Sequence, residues 1–186
     1  MAVSRIREPA RGPVAAGRSS SGWGALVAAC WFALAASSPA LALVPGEPAP
    51  PFANPQLDGT YLMSRDLFRA GWTLLDFFAT DCEPCARELP LLQQLMDDFS
   101  ARGLTVVVVA TDQQGAATIR PFMESRRITL PVLIDRYRVV MERYGVEMIP
   151  TLFLVGPDGI VEQKAEGFSE GTVAAIRSFL AEKLPR

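Results

Sequence analysis

Histidine is absent from all 186 residues. That absence removes Ser-His and Cys-His catalytic pairs, His-ligated metal centres and the Cys-x-x-Cys-His haem attachment. Cysteine is scarce, with 3 residues at positions 30, 82 and 85. A basic stripe is missing too. Residues 1–42 hold four Arg against one acid, which leaves 14 basic and 19 acidic residues in the rest, a net charge of −5. Phosphate backbones need clustered Lys and Arg, so nucleic acid is excluded as a partner. With 49% hydrophobic and 20% charged residues, disorder and collagen-like repetition are excluded as well. The chemistry left to this chain runs on Cys, carboxylates or backbone, and no metal or cofactor is expected.

The N-terminus reads as an address. Arg5, Arg7, Arg11 and Arg18 precede a nearly unbroken apolar run from Trp23 to Ala36, and no charge occurs between Ser19 and Gly46. This is the order of a secretory signal. Ser38-Pro39 breaks the run and Ala40-Leu41-Ala42 offers the small residues of a cleavage site, so residues 1–42 are read as a signal peptide. Left uncleaved, the 22 residues from Trp23 to Val44 would serve as an N-terminal membrane anchor. Cys30 follows a lipoprotein-like Val27-Ala28-Ala29, but the apolar run continues past it, which speaks against lipidation. The expected location is the periplasm or the outer face of the cytoplasmic membrane. The exported part then keeps only Cys82 and Cys85, too close in sequence to constrain much of the unfolded chain.

Residues 43–51 read as a Pro-rich linker and residues 52–186 as one domain. Asp58-Gly59 marks a hairpin turn, and Ser64 is placed to cap a short helix through Arg69. A buried strand is expected at 73–78, interrupted by Asp76, and a helix from Cys82 to Ala101 with Leu89, Leu92, Leu95, Met96 and Phe99 on one face and a kink at Pro90. Four consecutive valines within 104–110 suit a central strand covered on both faces. A helix at 117–127, a strand at 131–134, a helix at 136–144, a hairpin of 151–155 with 160–165, and a helix capped by Ser169 complete the pattern. The order predicts a three-layer α/β sandwich with a mixed sheet.

Cys82-Glu83-Pro84-Cys85 stands after a buried strand and opens a helix. Unpaired N–H groups and the helix dipole favour a thiolate there, so Cys82 is expected to attack and the deeper Cys85 to resolve the mixed disulfide. Pro84 suits a first helical turn. Half a zinc site is the competing reading, but zinc needs four ligands and the domain has neither a third Cys nor a His.

These residues resemble the thioredoxin superfamily, and more closely its extracytoplasmic TlpA/ResA-like branch. The resemblance spans about residues 45 to 184. It rests on 45–52, Leu57-Asp58-Gly59, 74–80, Cys82-Glu83-Pro84-Cys85 with Glu88 and Pro90, and 149–154. It implies a thioredoxin-like sandwich with an N-terminal hairpin extension, and an exported thiol-disulfide oxidoreductase. Many branch members reduce disulfides of partner proteins, for example in cytochrome c maturation or metal-centre assembly; re-reduction outside the cytoplasm requires an electron donor, expected to be a transmembrane thiol protein. The resemblance makes Pro150 a cis-proline opposite the dithiol, with Ile149 offering its backbone to the substrate beside Glu83 and Pro84; read alone, Pro150 simply begins an edge strand. It also makes Asp76 a buried acid that exchanges protons with Cys85, against the alternative of a solvated carboxylate at the rim. The lysine that accompanies this acid in thioredoxins is replaced within the valine run, at Val108 by our reading.

The two tryptophans usual near the motif are Phe78 and Asp81 here. Asp81 and Glu83 place negative charge beside Cys82, which disfavours its thiolate and biases the pair toward reducing. Asp81 could instead select a basic partner segment or be a solvated loop acid. Glu88 is expected to orient the helix start or meet solvent, and Met141 and Met148 to fill the core. The rival readings are an oxidant of the same fold, a binding module with a static disulfide, and a copper carrier.

Overall fold

A computed structural model describes residues 43–184. The expected signal or anchor, its cleavage point and Cys30 lie outside the described residues. Among those described, no helix is long and apolar enough to cross a membrane.

Strands β1 (Ala53–Pro55) and β2 (Tyr61–Met63) form an antiparallel hairpin. Asp58 closes its loop by accepting the Thr60 N–H at 2.9 Å, and Gly59 supplies the left-handed φ of 85° that the turn requires. Helix α1 (Ser64–Ala70) follows directly, but Ser64 does not cap it. Its hydroxyl is buried and accepts the Phe52 N–H at 3.0 Å, so the helix starts one residue early with Met63 in the cap position.

The main sheet has the order β5-β4-β3-β6-β7. In it β3 (Trp72–Phe78), β4 (Leu104–Ala110) and β5 (Val132–Ile134) run parallel, while β6 (Thr151–Val155) and β7 (Val161–Glu166) are antiparallel additions. This is the expected mixed sheet. Side chains alternate between its faces, so Leu74, Asp76 and Phe78 point one way and Leu75 and Phe77 the other. The valines of β4 are buried on both sides.

Helices α2 (Glu83–Phe99), α3 (Ala116–Ser125) and α5 (Glu170–Lys183) cover the first face. On α2 the buried stripe is Cys85, Glu88, Leu89, Leu92, Leu95 and Phe99, a helical period that seals one side against the sheet. Each fully buried Leu there contributes about 2 kcal/mol of transfer free energy. Pro90 lies inside the helix on its exposed side. The second face is covered by α1, by α4 (Val139–Arg143) and by the chain around Leu43 and Phe52. Backbones approach closely where β3 begins: a Cβ at Gly71 would overlap the Gly103 carbonyl oxygen, which also accepts the Trp72 N–H at 2.9 Å.

Three expectations change. Residues 43–51 do not hang free as a linker. Gly46 N–H donates to the Val161 carbonyl at 2.8 Å, Val161 N–H to Glu47, and Ala49 N–H to Gly159, so the segment shields the edge beside β7. Helix α4 is shorter than 136–144 because Asp135 to Arg138 forms a turn, with the Arg138 N–H on the Asp135 carbonyl at 2.8 Å and Arg138 left-handed at φ 57°. Ser169 occupies the cap position of α5, but its side chain makes no capping bond.

Candidate active site

The C-terminal ends of β3, β4 and β5 all point to one edge of the sandwich, the usual place for chemistry in a parallel sheet. The loop after β3 ends at Cys82, which is the N-cap of α2, with Pro84 in the first turn. The Cys85 N–H, an orphan donor of the helix start, points at the Cys82 Sγ at 3.2 Å. The two sulfurs are joined in this structure, S–S 2.01 Å and Cα–Cα 5.3 Å. Cys82 is half-buried and Cys85 is fully buried. Glu83 and Pro84 are exposed on the rim beside them.

Asp81 is exposed immediately before Cys82. The preceding Thr80 is tied across to the β4–α3 loop, where Asp112 accepts its N–H at 3.1 Å and also its hydroxyl. Sequence reading missed this brace. The signal was a lone acid just after the valine-rich strand.

Pro150 precedes β6, and extrapolating the β3–β6 register places it beside Phe78, at the dithiol end of the sheet. The Ile149-Pro150 peptide is cis. Ile149 is half-buried, and among the described residues neither its N–H nor its carbonyl takes a hydrogen bond. Met148 is not a core residue: it is 53% exposed, because it sits on the turn leading to this peptide with its carbonyl bonded to the Thr151 hydroxyl. Met141 is partly buried against the second face.

Asp76 is on β3, facing α2, and is 0% exposed, so it is no solvated rim carboxylate. Val108 and Leu152 flank it in register. Glu88, expected to meet solvent or orient the helix start, is also 0% exposed, one turn beyond Cys85 on the buried stripe. None of the four carboxyl oxygens has a hydrogen-bond partner. Burial drives the Asp76 carboxyl well above the ordinary range, and the charge of Glu88 adds to the rise. Burial alone pushes Glu88 up to about 7. The helical period was the signal for Glu88, since it falls three residues after Cys85 and four before Leu92.

Among the described residues, no three His, Cys, Asp or Glu side chains gather where a metal ion could bind. The arrangement instead offers a sulfur poised at a helix start, a sealed sulfur behind it, and two buried acids with raised pKa on the inner side. Such a site can exchange thiols for disulfides and move the accompanying proton.

Residues 45–164 match the AhpC/TSA family. The chain is 33% identical over 122 residues to the thiol-disulfide oxidoreductase ResA of Bacillus subtilis, covering 66% of this chain and 67% of that one. It is 29% identical over 140 residues to the ResA of Bacillus thuringiensis subsp. konkukian, covering 75% and 79%. A crystal structure named for the thiol:disulfide interchange protein DsbE of Chlorobium tepidum superposes with a TM-score of 0.71 at 28% identity, over 77% of this chain and 99% of that one. Fold, dithiol and relatives agree: the chain belongs to the AhpC/TSA family and is a thioredoxin-like thiol-disulfide oxidoreductase of the ResA and DsbE type.

Proposed function

We propose that this protein works outside the cytoplasm as a reductant of protein disulfides. The Cys82 thiolate attacks a substrate disulfide and expels one substrate sulfur as a thiolate, leaving a mixed disulfide. Cys85 then gives its proton to Asp76 and attacks the Cys82 sulfur. The second substrate thiolate leaves and the Cys82–Cys85 disulfide remains. Two electrons pass to the substrate, and a transmembrane thiol donor restores the dithiol. Ile149 and Pro150 hold the substrate backbone, while Glu83 and Pro84 form the rim it meets. The N-terminal segment directs export and, if uncleaved, anchors the domain to the membrane. Substrates of the kind handled in cytochrome c maturation or metal-centre assembly fit this reading.

The observation that carries it is the Cys85 N–H aimed at a half-buried Cys82 Sγ while Cys85 itself is sealed. That asymmetry supports Cys82 as the attacking and Cys85 as the resolving sulfur. The direction rests on Asp81 and Glu83, whose charges disfavour the Cys82 thiolate and so make the disulfide a poorer oxidant. A Cys85→Ser variant should hold the substrate as a stable mixed disulfide through Cys82, identifiable by mass spectrometry, whereas Cys82→Ser should trap nothing. A reduction potential as high as about −120 mV, in the range of strong disulfide donors, would reverse the direction.

A further inference from the structure

Three hollows adjoin one another along one side of the site. The first is lined by Asp81, Gln113 and Arg138, the second by Gln113, Arg136, Tyr137 and Arg138, and the third by Tyr61, Arg136, Tyr137 and Val139. Shared walls make them one trough, running from the residue before Cys82 to the N-terminal hairpin. Its far end is apolar and holds about 360 Å³, within the range of small-ligand sites. Tyr61, Tyr137 and Val139 are three of the few large hydrophobic side chains exposed among the described residues, at 67%, 75% and 45%. Clustering of such residues in one place marks a contact surface.

The middle of the trough is basic in a domain that is acidic overall. Arg136 lies over the Tyr137 ring at 5.1 Å, and among the described residues neither Arg136 nor Arg138 forms an ion pair. Of the nearby acids, Asp112 holds Thr80, buried Asp135 accepts the Met141 N–H at 2.9 Å, and exposed Asp81 lines only the hollow nearest Cys82. Glu142 and Glu147 beyond make no ion pair with either arginine. Arg138 also adopts a left-handed backbone at φ 57°, uncommon for a bulky residue. Exposed Tyr and Arg side by side are the side chains most often found at binding hot spots.

We propose that this trough receives an extended, acidic segment of the protein substrate, with carboxylates against Arg136 and Arg138 and an aromatic side chain among Tyr61, Tyr137 and Val139. It rests on the exchange reading above and adds a partner chemistry to it. Charge complementarity of this kind chiefly raises the association rate and selects partners.

The test uses synthetic peptides whose single cysteine is capped as a mixed disulfide with thionitrobenzoate. Reaction with the reduced protein yields the protein disulfide, the free peptide thiol and coloured thionitrobenzoate. Peptides with acidic flanks should react about tenfold faster than the same peptides with basic flanks, and about 0.5 M salt should erase the difference. The Arg136→Glu/Arg138→Glu variant should invert the ratio, and taking the ratio within each protein cancels any change in the dithiol itself. Tyr137→Ala should remove the advantage of a tryptophan over an alanine in the acidic peptide. Equal rates for both flanks, or a ratio unchanged in the double variant, would overturn the proposal. So would self-association of the chain abolished by that variant, which assigns the trough to a second copy. Failure of every peptide to react would instead sink the exchange reading.

Discussion

On the face of the sheet covered by α1 and α4, the large buried polar side chain is Tyr144, and its hydroxyl donates to the Pro50 carbonyl at 2.9 Å. On the face covered by α2, α3 and α5, Asp76 and Glu88 are buried with nothing bonded to either carboxyl. The α1 and α4 face leaves Thr73 Oγ1 without a partner, but a hydroxyl is cheaper to desolvate than a carboxylate. Packing that leaves no buried carboxyl unmatched supports stability alone. Two unmatched acids beside Cys85 reduce stability, a cost that fits the proton transfer proposed above.

The sharpest way to break this comparison is to take the proton acceptor away. Asp76→Asn should slow resolution of the mixed disulfide by about 100-fold near neutral pH, the low end of general acid–base contributions. In the unaltered protein that step should quicken as pH rises through the raised Asp76 value, and the variant should lose this rise. Single-turnover release of a bound thiol, followed against pH, measures both. An unchanged profile would leave Asp76 as an unexplained structural defect.

Stability should respond to pH in the opposite sense. Both acids bind their protons more tightly in the folded than in the unfolded chain, so the folded form holds more protons between the unfolded value near 4 and the raised values. Stability is therefore full below the unfolded value and falls as pH climbs through about 7, where Glu88 ionises. The Glu88 part of that loss is about 2 kcal/mol after allowance for solvent screening. Denaturant midpoints of the oxidised protein from pH 5 to 8 should show it, and Glu88→Gln should flatten the curve. At pH 8, Asp76→Val should be more stable than the parent by about 1 kcal/mol while exchanging more slowly, because a buried unpaired acid gives way to an apolar side chain of similar bulk.

Much of this architecture was readable from pattern. The short apolar run at 73–78, the valine run of β4 and the leucine spacing of α2 pointed to the layers, since burial on one face or two leaves its mark on each element. Cys82 at a helix start followed from the apolar run ending just before it. What escaped reading depends on long-range contacts. Ser64 bonds backwards to Phe52 rather than to its own helix, and residues 43–51, although rich in proline, pair with β7 across more than 100 positions. Glu88 was misjudged because charge was weighed above period. Asp76 was ambiguous, because a strand pattern does not say whether an acid at one position faces rim or interior. Arg136 and Arg138 carry no sequence signal of their own, and only the fold brings them to the hollows beside Asp81.

The smallest effect belongs to the well-matched face. Tyr144 packs its ring against Phe77 and Phe153, with centroids 5.5 and 5.3 Å away, and burial raises its hydroxyl far above the ordinary range, so it remains a donor at any working pH. Its bond to Pro50, together with the Arg143 Nη1 on the Pro51 carbonyl at 3.1 Å, fastens the segment that leads in from the N-terminus. Tyr144→Phe keeps the ring and removes only the hydroxyl, leaving the Pro50 carbonyl half-exposed, where water can replace the lost donor. The expected cost is about 1 kcal/mol, measured as a shift in denaturant midpoint without change of slope. Exchange rates should not move, and amide protons of residues 46–49 should exchange faster. A slowed exchange reaction in this variant would mean that the two faces are coupled, and that matched packing on one side helps position the acids on the other.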